Sequence, residues 1–514
     1  MSKAKPLMFL GTGSDVGKSV LAAAFCRILR QEGYRVAPFK AQNMALNSFI
    51  TPEGGEMGRA QVVQAEAAGI APHVDMNPVL LKPTSQMGSQ VIVLGEAVGN
   101  FSAGEYYEYK KELVPVVRAS FERLSAQYDI IVMEGAGSTV ELNLKPHDLV
   151  NMAMAQMADA RCILVGDIDR GGIFAALLGS FSLLEPEEQK LVCGFIVNKL
   201  RGDPNLFADG VRILESRSGR PVFGVVPYFD HIALPEEDSV ALGRRMHRQE
   251  ASSGRDAVRL GVVRLPFISN YTDFDCFEQD PRASLTYFDK PARVFEFDAV
   301  ILPGSKNTIE DLDALRRSGM SDAINAFYKS GGTVVGLCGG YQMMGQVVSD
   351  PYGMESGLPE ISGLGLLAMK TEMFPSKMTS QVDAAVEAET GFFTRCPDQL
   401  GGYEIHMGRS TVVGDGSYCF RIVARDGKPA DALDGFASPD GRAWGTYIHG
   451  IFDNDCLREK FLEDLAERAG KPFLPASGAE PFSYGRWKEQ QFDLLADFVR
   501  KHVDIERIME IVLR

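Results

Sequence analysis

Short apolar runs alternate with segments of helical spacing over the first part of the chain, up to about Tyr228. The apolar runs predict strands at residues 7–10, 35–39, 130–133, 162–165, 193–197 and 222–226. The segments between them predict helices that include residues 20–31, 112–127, 149–158 and 173–184. Apolar strands separated by helices indicate a parallel sheet that is covered on both faces.

A second alternating region starts at Leu260, with further apolar runs at residues 297–302 and 332–337. Between the two regions the alternation fails in a charged stretch, which indicates a linker. Helical spacing returns after residue 453, most clearly at residues 493–499. We therefore expect an α/β protein with two doubly wound, mostly parallel-sheet domains and a helical C-terminal segment. The predicted division is 1–235, a linker at 236–257, 258–460 and 461–514.

The composition of the chain limits the kinds of molecule that it is expected to bind. The 514 residues carry a formal net charge of -15, which argues against nucleic acid or an anionic membrane as the main partner. The 8 cysteines include no Cys-x-x-Cys pair, so neither a zinc site nor a redox pair is expected. Without a signal-peptide core or a membrane-spanning apolar run, the sequence favours a cytoplasmic protein with small-molecule partners. The oligomeric state is left open.

A glycine-rich turn follows the first predicted strand and opens the first predicted helix, in the order Gly-Thr-Gly-Ser-Asp-Val-Gly-Lys-Ser from Gly11. Such a turn points backbone N–H groups at one spot, which suits a polyphosphate. The standard pattern has a glycine where Thr12 stands, but the Gly-Lys-Ser end is intact. The predicted ATP-binding residues of this loop are Gly13, Val16, Gly17, Lys18 and Ser19.

Polar residues follow several of the predicted strands, and the carboxyl ends of parallel strands are where ligands bind. Glu134 ends one strand and is placed to hold Mg²⁺ with Ser19, directly or through water. Asn198 ends another strand, where it could read the nucleotide base. Further candidates for contact with phosphate, substrate or the transferring phosphoryl group are Lys40, Lys82, Asp167, Asp169 and Arg170.

A cysteine stands in the second region on a strand-to-helix turn, in Gly-Leu-Cys-Gly-Gly around Cys338. This arrangement is typical of a nucleophile held outward at the top of a sheet. The N–H of Gly339, with backbone near Gly304, could form an oxyanion hole. A thiolate also needs a base, and the residues alone leave open whether this is His406 or His449.

These motifs together resemble the cobyric acid synthases, the glutamine-hydrolysing amidotransferases of cobalamin biosynthesis, over nearly the whole length. GTGSDVGKS and EGAG resemble the dethiobiotin-synthetase-like amidoligases. KAQNMALNS, DMNPVLLKP, GDIDRGG and NKLRGD are similar to segments specific to cobyric acid synthases. GLCGGYQMMG, RLPFISNYTDFD and GTYIHG resemble class I glutamine amidotransferase domains of the cobyric and cobyrinic type.

The resemblance implies that Cys338 attacks glutamine and that His449, in the GTYIHG frame, is its base. It also implies that Gln342 and the glycines around Cys338 bind glutamine. Most class I domains have a glutamate two residues after the histidine, where this chain has Ile451. Either another group orients His449, or the cysteine and histidine act as a dyad.

The reaction implied by the resemblance joins the two halves. Glutamine hydrolysis releases ammonia, and ATP with Mg²⁺ activates a substrate carboxylate as an acyl phosphate, which ammonia converts to an amide. The implied substrate is adenosylcobyrinic acid a,c-diamide, amidated on its b, d, e and g side chains.

Two alternative functions share some of these motifs. Cobyrinic acid a,c-diamide synthase has the same domain order, but KAQNMALNS and DMNPVLLKP favour cobyric acid synthase. A partition-type ATPase would share the phosphate loop, but it would leave Cys338 and the second domain without a role.

Overall fold

The computed structural model describes residues 4–83, 88–235, 257–396, 399–473 and 481–514. The described residues form two compact units. The first comprises the described residues of Met1–Ala45, Glu56–Pro235 and Lys488–Arg514, and the second comprises those of Leu46–Gly55 and Glu236–Trp487. The linker predicted at 236–257 lies, apart from Ala257, outside the described residues.

Helices and strands follow one another along the whole described chain. Up to residue 227 they are β1 (Lys5–Gly11), α1 (Lys18–Gln31), β2 (Val36–Phe39), β3 (Gln42–Met44), β4 (Ser48–Ile50), β5 (Glu56–Gly58), α2 (Arg59–Ala68), β6 (Val79–Pro83), β7 (Gly88–Val93), β8 (Glu96–Ser102), α3 (Ala103–Gln127), β9 (Ile130–Glu134), α4 (Met152–Ala158), β10 (Arg161–Asp167), α5 (Ile173–Leu183), α6 (Pro186–Leu191), β11 (Val192–Leu200), α7 (Ala208–Ser218) and β12 (Val222–Pro227).

From residue 258 onward the elements are β13 (Val258–Val263), α8 (Asp275–Gln279), β14 (Ala283–Phe288), β15 (Ala299–Leu302), α9 (Thr308–Arg317), α10 (Met320–Lys329), β16 (Thr333–Leu337), α11 (Gly339–Met343), β17 (Val347–Ser349), β18 (Glu360–Ser362), β19 (Met369–Val386), β20 (Leu400–Val412), β21 (Ser417–Arg425), β22 (Lys428–Ala437), β23 (Ala443–Thr446), β24 (Ile448–His449), α12 (Asp455–Arg468), α13 (Tyr484–His502) and α14 (Ile505–Leu513).

The first unit is organised around a six-stranded parallel sheet in the order β12-β11-β10-β1-β9-β2. Its strands are the six that the apolar runs predict, and β1 and β9 are almost wholly buried because helices cover the sheet. β1 lies between β10 and β9, so the loop after β1 and the carboxyl ends of both neighbours meet at one edge.

A four-stranded sheet in the order β3-β6-β7-β8 accompanies the large sheet of the first unit. The hydrophobic pattern of the sequence does not predict this sheet. Its last strand, β8, is mostly exposed and mixes polar with apolar residues, so it carries no clear apolar run. The helix that follows, α3, begins with a capping box in which Ser102 and Glu105 satisfy each other's backbone N–H groups.

The sheet of the second unit is mixed. Five strands, in the order β14-β13-β15-β16-β23, run parallel. Beyond β23, the pairs β23–β22, β22–β21, β21–β19 and β19–β20 are antiparallel. The α/β class is thus confirmed. Parallel pairing joins the first five strands of this sheet and recurs between β17 and β19, whereas β19 to β22 follow one another without the helical crossovers that parallel strands require.

Two parts of the chain do not lie in the domains predicted for them. Residues 46–55, expected in the first domain, belong to the second unit. The C-terminal segment 461–514 is not one appendage, because Phe461 packs in the core of the second unit whereas Phe492 and Val512 pack with Leu7 in the core of the first. The apolar faces of α13 and α14 are therefore buried against the parallel sheet.

Candidate active sites

The loop between β1 and α1 is closed around the side chain of Lys18. Lys18 Nζ donates to the carbonyl oxygens of Gly13, at 2.9 Å, and Gly137, at 3.0 Å. Gly17 has φ +98°, and a Cβ there would lie 2.1 Å from Asn198 Nδ2. The Asn198 amide donates to the Val16 carbonyl at 2.8 Å. The turn therefore needs glycine at position 17 and is held from the neighbouring strand by Asn198.

Glu134 is the centre of the polar network beside this loop. Its Oε1 accepts from Ser19 Oγ at 2.6 Å and from Lys40 Nζ at 3.1 Å, and its Oε2 accepts from Gln64 Nε2 at 2.7 Å. Burial alone would raise the pKa of Glu134, but Lys40, Ser19, Lys18 and Gln64 outweigh it and lower this pKa. The carboxylate is therefore ionised and directed at the helix end where Ser19 lies.

The other predicted substrate residues of the first unit divide into two groups. Asp167 and Arg170 lie at the loop: Arg170 Nη2 is 3.5 Å from Asp15 Oδ2, and Arg170 Nε is 3.6 Å from Asp167 Oδ2. Asp169 instead pairs with Arg201 at 2.7 Å.

Lys82 forms a buried ion pair with Glu56 at 2.8 Å, on β6 of the four-stranded sheet. The structure thus brings Asp167 and Arg170 to the loop and gives Asp169 and Lys82 other ionic partners.

Cys338 lies on a strained turn between β16 and α11. Its φ of 50° and ψ of -107° fall outside the regions that a non-glycine residue ordinarily adopts. The turn is possible because its neighbours are glycines: a Cβ at Gly340 would lie 2.0 Å from the carbonyl oxygen of Leu302. Cys338 is 8% exposed, and its thiol contacts the Ile405 carbonyl at 3.5 Å.

His449 is held between Cys338 and an aspartate. Its Nδ1 is 2.7 Å from Asp273 Oδ2, and both side chains are almost fully buried. The other oxygen of Asp273 accepts from the N–H of Gly450 at 2.9 Å. Burial works against the charged imidazole, but Asp273 and Cys338 outweigh it and raise the pKa of His449 to about 10. The raised pKa keeps the imidazole protonated at neutral pH, beside the thiol that would act as nucleophile.

Asp273 was not singled out from the sequence, which pointed to position 451 for an orienting carboxylate. Ile451 is buried among apolar side chains. The carboxylate beside His449 belongs instead to Asp273, which lies 176 residues before His449 in the chain. The segment RLPFISNYTDFD contains two carboxylates, Asp273 and Asp275, and the sequence does not distinguish between them.

His406, the other candidate base, has different partners. Its Nδ1 lies 2.8 Å from the carbonyl oxygen of Gly408, and its Nε2 is 3.7 Å from Glu404 Oε1. Its ring stacks on that of Tyr447, with centroids 3.8 Å apart. His449 interacts with the Cys338 thiol, whereas the contacts of His406 are with Gly408, Glu404 and Tyr447.

The remaining predicted residues surround Cys338. A Cβ at Gly339 would lie 2.9 Å from the backbone nitrogen of Ser305, and one at Gly304 would lie 3.3 Å from His449 Cε1. The Gly304 and Gly339 backbones are thus close to the reacting groups. The Gln342 side chain accepts from Thr308 Oγ1 at 3.1 Å and donates to the Tyr447 hydroxyl at 3.2 Å, so it braces the pocket wall.

Two protein-family models match this chain. Residues 7–241 match the CobQ/CobB/MinD/ParA nucleotide binding domain, and residues 259–456 match the CobB/CobQ-like glutamine amidotransferase domain. The chain is 70% identical to the cobyric acid synthase of Syntrophobacter fumaroxidans, over 100% of this chain and 99% of that one.

The corresponding proteins of Desulfitobacterium hafniense and Moorella thermoacetica are 51% and 48% identical, over 98% and 99% of this chain and 96% and 97% of theirs. The chain belongs to the cobyric acid synthase family. It is a glutamine amidotransferase ligase of cobalamin biosynthesis with a nucleotide-binding domain, as the motifs predicted. Within the described ranges, no helix combines the length and apolar character needed to cross a membrane.

Proposed function

We propose that this chain uses ATP and glutamine to amidate the b, d, e and g carboxylates of adenosylcobyrinic acid a,c-diamide, giving adenosylcobyric acid. The observation that carries the proposal is the buried Cys338–His449–Asp273 arrangement, present in the same chain as a lysine-centred phosphate loop. Full-length identity of 70% to a cobyric acid synthase supports this substrate over the earlier corrinoid in the pathway.

In the glutamine site, Cys338 Sγ attacks the side-chain carboxamide carbon of glutamine. The oxyanion of the tetrahedral intermediate is stabilised by the N–H of Gly339 and backbone near Gly304. His449, oriented by Asp273, gives its proton to the departing nitrogen, so ammonia leaves and a glutamyl thioester remains. Water, deprotonated by His449, then hydrolyses the thioester to glutamate and restores the thiol.

In the nucleotide site, the loop N–H groups and Lys18 bind the phosphates of ATP. Ser19 Oγ and Glu134 Oε1 lie 2.6 Å apart, and these two oxygens would hold Mg²⁺. When bound, Mg²⁺ would neutralise charge on the phosphate oxygens. Lys40 and Arg170 would stabilise the phosphoryl group as it passes to the substrate carboxylate, and Asn198 would lie at the nucleotide end of the loop.

ATP is needed because a carboxylate is a poor electrophile at neutral pH. Transfer of the terminal phosphoryl group makes an acyl phosphate and ADP. Ammonia then attacks the acyl carbon, the C–O bond to phosphate breaks, and the products are the amide and inorganic phosphate.

The test is an assay with ATP, magnesium and either glutamine or an ammonium salt, on cobyrinic acid and on its a,c-diamide separately. We expect product only from the a,c-diamide, with four amides added. Cys338→Ala should lose glutamine-driven amidation and keep ammonia-driven amidation, whereas Cys456→Ala, at an exposed cysteine, should keep both. Product from cobyrinic acid instead, or equal loss of both nitrogen sources in Cys338→Ala, would contradict the proposal.

A further inference from the structure

The short segment 46–55 belongs to the glutaminase unit although the residues on both sides of it, up to Ala45 and from Glu56, belong to the first unit. It also lies outside the residues that match the glutamine amidotransferase model, 259–456. Asn47, Ser48, Ile50 and Thr51 are each 0% exposed. A surface connection would not be so deeply buried, so the segment is an integral part of the unit.

The segment contacts the residue that covers the catalytic imidazole. The ring of Phe49 packs on that of Tyr403, with centroids 5.0 Å apart, and the Tyr403 hydroxyl donates to the Ser48 carbonyl at 3.3 Å. Tyr403 in turn stacks on His449, at 5.3 Å between centroids and 20° between planes. The segment thus holds Tyr403 from two sides while Tyr403 covers His449.

The same segment contacts the neighbours of the other two members of the site. Ile50 clusters with Ile405, whose carbonyl oxygen touches the Cys338 thiol. The N–H of Ser48 donates to Asn270 Oδ1 at 3.4 Å, and the Asn270 carbonyl accepts from the N–H of Asp273 at 3.1 Å. Gln381 Nε2 donates to the Ile50 carbonyl, which anchors the segment to β19.

We propose that residues 46–55 are a positioning segment of the glutamine site, which sets the geometry of His449 through Tyr403. The idea rests on the proposed function, since it assumes that His449 and Cys338 hydrolyse glutamine. Each contact is modest, but misplacement of a catalytic group by about 1 Å can cost about 100-fold in rate. A glutaminase domain built from residues 258 onward alone would lack this support.

The test compares Phe49→Leu with wild type in the full chain. Leucine keeps an apolar side chain of moderate size and removes the ring that packs on Tyr403, so the fold should be retained. We expect glutaminase kcat to fall at least about 10-fold, with KM for glutamine changed less than about 3-fold. Ammonia-driven amidation should remain within about twofold of wild type, since it does not use His449.

A pH profile separates positioning from general loss of structure. An aromatic ring stacked on an imidazolium favours its charged form, so a displaced Tyr403 should lower the pKa of His449. The alkaline limb of glutaminase activity should therefore move to lower pH in Phe49→Leu, and Phe49→Tyr, which restores a ring, should move it back. The matched control is Met44→Leu, at an exposed apolar side chain just before the segment, and should be neutral.

Wild-type glutaminase kinetics in Phe49→Leu would overturn the positioning role. Parallel loss of ammonia-driven amidation, or failure of Phe49→Tyr to restore activity, would overturn it as well. Failure of the proposed function is visible separately, because the wild-type chain would then lack glutaminase activity that depends on Cys338.

Discussion

The two sites are built on opposite principles. In the nucleotide site, the contacts involve charged side chains: Lys40 pairs with Glu134, and Lys18 donates to the backbone carbonyls of Gly13 and Gly137. These contacts can be exchanged for phosphate oxygens when a nucleotide binds. In the glutamine site, a strained backbone and a buried Asp273–His449 pair hold the thiol in place before any ligand arrives.

The nucleotide site thus depends mainly on the placement of charge, and the glutamine site depends mainly on the orientation of its groups. Phosphoryl transfer needs cations around oxygens that already bear charge. Attack on a neutral amide needs a nucleophile, base and oxyanion donors aligned within narrow limits. Changes of charge should therefore dominate in the first unit, and changes of orientation in the second.

The largest effect is expected for Lys18→Ala. Loss of the loop cation removes the group that neutralises the terminal phosphates, so both glutamine-driven and ammonia-driven amidation should fall by about 1,000-fold or more. The measurement is steady-state product formation with each nitrogen source. Lys111→Ala, at an exposed lysine of the same unit, is the matched control and should be silent. Retention of ammonia-driven amidation in Lys18→Ala would break the comparison.

Asp273→Asn should come next. Replacing the carboxylate leaves the shape but removes the charge that orients His449, so glutaminase kcat should fall about 100-fold to 10,000-fold. Ammonia-driven amidation should be unchanged. Asp289→Asn, at a half-exposed aspartate of the same unit, serves as the control. Equal glutaminase rates in Asp273→Asn and wild type would show that Cys338 and His449 act as a dyad.

The Asp273→Asn variant should also change the pH dependence of glutaminase activity. The pKa of His449 is raised from 6.5 to about 10 against the effect of burial, by Asp273 and Cys338. Its proton therefore stabilises the folded state fully below pH 6.5, and this contribution is lost as pH rises through about 10. Removing the Asp273 charge lowers that pKa, so loss of glutaminase activity on the alkaline side should begin at lower pH. Profiles of kcat/KM between about pH 6 and 10.5 check the direction.

The smallest effect is expected for His406→Gln. This histidine contacts Gly408 and Glu404 rather than the thiol, so we expect less than about a 10-fold change in glutaminase kcat. His449→Gln, by contrast, should lose about 1,000-fold or more. A reversed order of the two variants, measured by glutamate release, would assign the base to His406.

Local patterns accounted for much of the fold and for the nucleotide loop. The six strands of the first sheet are continuous apolar runs, and the loop from Gly11 to Ser19 carries its backbone requirements in adjacent residues. Cys338 was visible for the same reason, since its glycine neighbours are in the same turn. In contrast, β8 is mostly exposed and contains both polar and apolar residues, so the hydrophobic pattern does not predict the sheet to which it belongs.

The α/β class, the phosphate loop and the nucleophilic turn can be read from the sequence, because each depends on residues that are neighbours in the chain. The contact of Asp273 with His449, the position of His406 near Glu404 and the assignment of residues 46–55 to the second unit emerge only from the folded chain. Folding buries groups that are far apart in sequence beside one another. A buried charge is stable only beside the partner that the fold supplies.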